Sequence, residues 1–281
     1  MNSANMNSAN MNSANPRAAT LALVRLALAL LAAPPVALAQ DADFASPSAR
    51  GAHSAARLLS AGAPSGGVYR LGVEIALDPG TVTYWRNPGD AGAPPVFDFS
   101  ASENVAAVET LYPAPKHIVE AGITVAGYDE SLIFPLRVTP KEAAAPVVLK
   151  LALDYAACAQ ICLPAKAKLS LALPTAGASP FAATLAAAET LVPRPIGAGE
   201  AKQLVEVARA GAGAWRLRYH GPGHAADVFV EAPEPFIIDS AADGNGGFAL
   251  TLGEGKQQGA IAARATIRTE SGGIELPLTL D

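Results

Sequence analysis

The chain has 281 residues, 51% of them hydrophobic and 16% charged, with a formal net charge of −5. That is enough apolar material for one large or two small packed domains. Without a Lys/Arg-rich run it argues against a nucleic-acid binder, and its 25 Gly and 23 Pro fit a turn-rich β protein better than a helical bundle.

Residues 1–15 repeat Met-Asn-Ser-Ala-Asn three times and contribute nothing to a fold. Residues 21–33 form an Ala/Leu-rich run broken only by Arg25, preceded by Arg17 and ended by Pro34-Pro35. Ala37-Leu38-Ala39 then supplies small residues at the spacing signal peptidase reads. The run is too short to span a bilayer as a stable helix, so residues 1–39 read as a signal peptide and the mature chain starts near Gln40, exported and without stable membrane insertion. All three Met lie in the removed segment, which leaves no methionine-thioether copper site.

Residues 40–53 are small and polar, a flexible lead-in. From about residue 54 the pattern becomes strands: Tyr69, Leu71, Val73, Ile75 and Leu77 alternate with period two, and Asp78-Pro79-Gly80 makes a turn. Thr81–Arg86 is β-branched and aromatic, and further short strands are expected near 95–99, 104–111, 132–138 and 147–155. Strands at this spacing predict an antiparallel β-sandwich over 54–175. Within 176–203 the signals change: Ser179 as a cap, Pro180 at the first helical position and the Ala-rich Ala182–Leu191 predict a helix-containing linker. Residues 204–281 return to strands (Trp215–Tyr219, Asp227–Glu231, Phe248–Leu252, Ile261–Arg268, Ile274–Leu280) and predict a second, smaller β-sandwich-like domain.

The only two cysteines stand in Tyr155-Ala-Ala-Cys158-Ala-Gln-Ile-Cys162-Leu-Pro164. Leu149, Leu151, Leu153 and Tyr155 alternate before them, and Leu169, Leu171 and Leu173 after them, so the pair sits between two strands. Four extended steps span about 13 Å, whereas a disulfide needs Cα atoms roughly 4.4–6.8 Å apart. The chain must therefore turn within Ala159-Gln160-Ile161 for a bond to form. An exported chain with two Cys implies one disulfide. Closing so short a loop contributes only about 2 kcal/mol of chain-entropy stabilisation, against nearly 5 for a hundred-residue loop. A redox pair, a structural staple and, more remotely, a metal pair all remain open from these residues. The spacing is not the thioredoxin Cys-x-x-Cys, and no helix N-terminus is predicted to lower a thiol pKa.

Three stretches carry a family resemblance: Thr83-Tyr-Trp-Arg-Asn-Pro-Gly-Asp-Ala-Gly92 followed by Pro94-Pro95, Phe134-Pro-Leu-Arg-Val138, and Asp154 to Pro164. Over about 55–175 the chain resembles the periplasmic N-terminal domain of the disulfide reductase DsbD, in its ScsB (suppressor of copper sensitivity) branch. The resemblance implies an immunoglobulin-like sandwich whose pair, Cys158 and Cys162, carries reducing equivalents as part of a protein-disulfide reductase system in the periplasm. It implies as partners a thioredoxin-like periplasmic domain and a membrane electron-transfer protein, here expected as separate chains because no such segments are read in this sequence. No cofactor is implied. Tyr84 matches an aromatic position packed near the pair. The family's mobile shielding loop corresponds to about 116–128, with Glu120 and Tyr128, although its acidic-aromatic sequence is not reproduced. The opposing reading is a non-catalytic envelope binding module in which the disulfide only rigidifies a loop.

Among the four His, His220-Gly-Pro-Gly-His224 lacks a third ligand and reads as a solvated loop, so no metal site is expected. No Gly-x-Ser-x-Gly, His-Glu-x-x-His or P-loop pattern occurs, which gives hydrolase and nucleotide chemistry no foothold.

Overall fold

A computed structural model describes residues 43–281 apart from 90, 121 and 271. The signal peptide expected over 1–39 lies outside the described residues, as does the start of the lead-in. Among the described residues no helix is long and apolar enough to cross a membrane.

The chain is nearly all β. In order come β1 (Ala49–Gly51), β2 (Ser54–Ser60), β3 (Tyr69–Leu77), β4 (Thr83–Tyr84), β5 (Val96–Asp98), β6 (Val105–Thr110), β7 (Lys116–Glu120), β8 (Ile123–Tyr128), β9 (Leu132–Pro140), β10 (Val148–Cys158) and β11 (Cys162–Ala172). Then follow α1 (Ala182–Thr190), β12 (Arg194–Pro195), α2 (Ala198–Leu204), β13 (Val205–Gly211), β14 (Ala214–Tyr219), β15 (Ala225–Glu231), β16 (Ile237–Ala242), β17 (Phe248–Glu254), β18 (Ile261–Thr269) and β19 (Gly272–Leu280).

The first sandwich packs the sheet β1-β2-β3-β9-β6 against β11-β10-β5. The alternation seen in the sequence is the reason. Tyr69, Leu71, Val73 and Ile75 of β3 turn inward to meet Leu149, Leu151 and Leu153 of β10 and Leu169 and Leu171 of β11, all in one buried cluster. Each fully buried Leu, Ile or Val contributes roughly 1.5–3 kcal/mol. A small third sheet, β4-β8-β7, sits at one end of this sandwich. The second set of sheets, β12-β19-β18-β15 and β13-β14-β17-β16, encloses its own cluster around Trp215, Leu217, Val228, Leu250, Ile267 and Leu280.

Two expectations are refined. Residues 116–128, expected as a mobile loop, form the β7–β8 hairpin, with Glu120 paired to Ile123 across a turn where Gly122 has φ +86°. The helix starts at Ala182 rather than Pro180, and Ser179 still serves its entry: its hydroxyl accepts the N–H of Phe181 at 3.0 Å and donates to the Ser60 carbonyl at 2.5 Å. The helix is docked rather than free. Leu185 is wholly buried, and Glu189 takes a two-pronged ion pair from Arg70 of β3, at 2.8 and 2.6 Å.

Candidate redox site

The pair sits where the longest hairpin ends. β10 and β11 stay in register from Val148 opposite Ala172 to Cys158 opposite Cys162, and Ala159-Gln160-Ile161 make the turn. The two cysteines are joined by a disulfide, with Cα atoms 3.9 Å apart. Their environments differ sharply. Cys158 is 1% exposed, whereas Cys162 is exposed. Cys158 is also held by its backbone: it exchanges two hydrogen bonds with Val82, at 2.8 and 2.9 Å, just before β4.

That bridge fixes Tyr84 beside the sulfurs. From Val82 the chain runs on through Thr83, whose hydroxyl donates to the Ala156 carbonyl at 2.8 Å. The Tyr84 hydroxyl oxygen then lies 3.0 Å from Cys158 Sγ and 3.3 Å from Cys162 Sγ. Two glycines make room. A Cβ on Gly127 would stand 2.4 Å from the Thr83 carbonyl oxygen, so only glycine lets β8 approach β4 this closely. Gly92, at φ +98°, lets the following loop lie against the Tyr84 ring, where a Cβ would come within 2.6 Å.

The β7–β8 hairpin covers the pair. Ile118 and Val125, opposite each other in register, pack with Tyr84 and Cys158 in a small apolar cluster. Glu120 accepts the Tyr84 hydroxyl proton at 2.6 Å through one oxygen and sets the other 3.2 Å from Cys162 Sγ. A disulfide sulfur has no proton to give, so in this state that second approach is a contact and not a hydrogen bond. Burial, and then the Glu120 carboxylate that accepts its proton, push the Tyr84 phenol well above its ordinary value. Tyr84 is therefore a proton donor at any physiological pH.

The three site residues singled out beside the cysteines thus separate. Tyr84 and Glu120 touch the sulfurs. Tyr128 lies behind them: it is buried, its ring meets Phe134 edge-on at 5.6 Å, and its hydroxyl donates to the Pro113 carbonyl at 2.8 Å. His220 pairs with Glu206 at 3.5 Å, and His224 is exposed. Among the described residues, the one group of three or more possible metal-ligating side chains is Glu120, Cys158 and Cys162. With both sulfurs in a disulfide this donor set offers no thiolate to a metal.

Sequence reasoning missed the residues on the outer side of this cover. His117 joins it to the C-terminal strands, with Nδ1 3.0 Å from Asp227, and beside it Arg86, just after β4, forks onto Glu231 at 2.9 and 2.7 Å. A usable signal existed. Lys116–Glu120 and Ile123–Tyr128 are β-branched-rich runs only two residues apart, with Gly122 between them, a spacing that suits a hairpin.

Residues 53–174 match the family described as thiol:disulfide interchange protein DsbD, N-terminal. Among solved structures the chain is similar to the crystal structure of the N-terminal periplasmic domain of ScsB from Proteus mirabilis, with a TM-score of 0.62 and 19% sequence identity over 85% of this chain and 99% of that one. At that identity the likeness speaks for the fold. A search of curated proteins finds no match. Residues 53–174, which hold both cysteines with Tyr84 and Glu120, therefore belong to the family of DsbD N-terminal domains.

Proposed function

We propose that this thiol–disulfide exchange module works in the periplasm as an electron relay, taking reducing equivalents from a thioredoxin-like domain and passing them to target proteins. The observation that carries the reading is the asymmetry of the disulfide: an exposed residue, Cys162, joined to a buried one, Cys158, whose sulfur has a phenolic hydroxyl 3.0 Å away. A periplasmic address is supported by the signal-peptide pattern before Gln40 and by the periplasmic origin of the ScsB domain.

The asymmetry assigns the steps. A partner thiolate attacks Cys162 Sγ; the new bond joins the partner sulfur to Cys162, the Cys158–Cys162 bond breaks, and Cys158 leaves as a thiolate. A buried thiolate is costly unless hydrogen-bonded. The Tyr84 O–H, turned from Glu120 toward Cys158, supplies that bond. The partner's second thiolate then attacks its own sulfur in the mixed disulfide and releases Cys162. Two electrons have passed to the pair, and the partner is left as a disulfide. The same steps in reverse reduce a target.

Glu120 guards the site in both states. Its negative charge beside Cys162 repels an approaching thiolate and disfavours the Cys162 thiolate after reduction. Electron transfer therefore requires a partner whose docking displaces the β7–β8 cover. Val119, Ile123 and Ile161, large apolar side chains 74%, 50% and 65% exposed, each stand within three residues of a group touching the sulfurs and suit such docking.

The test is a trapped intermediate. A Cys158→Ser chain keeps the attacked sulfur and should accumulate a reductant-sensitive adduct with a thioredoxin-like periplasmic protein. If neither single Cys variant forms an adduct and the wild-type disulfide resists such reductants, the pair is a staple and the relay reading falls.

A further inference from the structure

The β7–β8 cover is weakly built in itself. It is a two-stranded ribbon, β7 is a sheet edge, and β8 meets the body at two register pairs with β4, Thr83 with Tyr128 and Tyr84 with Gly127, and at Ala126, which accepts the Trp85 N–H at 3.1 Å and donates to the Pro88 carbonyl at 3.0 Å. Ribbons of this size are marginal in water unless something packs on them. The inner face of the ribbon meets the sulfurs. The outer face meets β15, a strand more than a hundred residues further along the chain.

Along β15, Asp227, Phe229 and Glu231 recur with period two and so share one face. Asp227 and Phe229 meet the cover at His117, and Glu231 meets Arg86, just after β4. Asp227 takes the hydrogen bond from His117 of β7 at 3.0 Å. Phe229 stacks on the His117 ring at 4.3 Å between centroids and tilts against Trp85 at 5.6 Å. Glu231 takes Arg86, whose guanidinium also lies over the Trp85 ring at 4.5 Å and pairs with Glu275 of β19. The acids are in turn held by arginines on β18: Asp227 opposite Arg268, and Glu231 opposite Arg264, in register and hydrogen-bonded. His117, Asp227, Arg86 and Glu231 have side chains only 25%, 17%, 22% and 15% exposed, so these pairs are not loose surface contacts. Phe229 is also the residue from the C-terminal strands that enters the first sandwich's core cluster.

The geometry points to a positioning role for this face. His117 and Arg86 do not touch the sulfurs; they stand three and two residues from side chains that do, Glu120 and Tyr84 respectively. Through them the C-terminal strands hold the cover closed on the disulfide. This rests on the exchange reading above, and it gives those strands a part in the chemistry, since they set how often the pair is open to attack.

The test is the second-order rate at which dithiothreitol reduces the Cys158–Cys162 disulfide in the full chain, followed with a thermal midpoint for each variant. His117→Ala should raise the rate about tenfold, since a hydrogen bond to a charged partner contributes on the order of 1.4 kcal/mol or more, which is one factor of ten. Leu250→Ala, a cavity in the second core away from the cover, should lower the midpoint and leave the rate unchanged. In a Glu120→Ala background, where the cover has already lost its hydrogen bond to Tyr84, the His117→Ala increment should shrink. An unchanged rate in His117→Ala overturns the proposal. So does an equal rise in Leu250→Ala, or an increment undiminished without Glu120. Dithiothreitol needs no cellular partner, so failure here leaves the adduct test standing, and failure of that test leaves this one standing.

Discussion

Two hairpins meet at the disulfide, and they are built in opposite ways. β10–β11 runs eleven register pairs, with its inward Leu residues sealed in the core. β7–β8 runs five, ends in exposed Val119 and Ile123, and depends on side chains from β15 for its outer support. The first holds the sulfurs in register; the second is the part that the proposed exchange requires to move. Exchange needs both properties, because the two sulfurs must stay together through reduction while their cover gives way. The first is built by local alternation, and the second leans on a small number of distant contacts.

Breaking the rigid side at the sulfurs has the largest expected effect. Cys158→Ser should trap a partner and Cys162→Ser should not, because the remaining Cys158 is buried; non-reducing electrophoresis of periplasmic extracts distinguishes them. Equal trapping by both would mean that burial does not decide which sulfur is attacked. Next comes the core beneath them. Leu153→Ala on β10, where the side chain is 1% exposed, should cost about 2–5 kcal/mol in denaturant unfolding.

The movable side should respond more gently. Glu120→Gln keeps shape and removes charge, and should speed reduction by anionic thiols by roughly three- to tenfold, a gain that fades in high salt. A gain that survives at about 1 M salt would point to shape rather than charge. The smallest effect is the pH dependence of the outer contacts. Burial alone would raise Asp227 and Glu231, but hydrogen bonds from His117 and Arg268, and from Arg86 and Arg264, outweigh it and hold both below the ordinary carboxylate range. A carboxylate with a depressed folded-state pKa adds stability above its unfolded value, about 3.9 for Asp and 4.3 for Glu, and loses it as pH falls through the folded value. Thermal midpoints should thus be level above about pH 5 and fall in acid, with a shallower fall in an Asp227→Asn, Glu231→Gln double variant.

The contrast between the hairpins also explains what could be read beforehand. Leu149, Leu151, Leu153 and Tyr155, with Leu169, Leu171 and Leu173, marked the two strands and confined the turn to 159–161, because one face of each strand is buried. Tyr84 came through the family motif and not through periodicity, since β4 is only two residues long. The cover was read as a loop because the family resemblance places a shielding loop at 116–128, while its outer contacts, to Asp227 and Phe229, span more than a hundred residues and are not written in the local sequence. For the same reason no pattern in 204–281 announced that one face of β15 serves the disulfide.

The turn at Ala159-Gln160-Ile161 has one more consequence. All three residues are exposed, and the ladder that positions the cysteines is complete without their side chains. Selection can therefore alter them without disturbing the core or the sulfur geometry, while any partner that reaches Cys162 must read them. In a lineage that acquires a new redox client, adaptation should concentrate on these three positions and leave the strands on either side as they were.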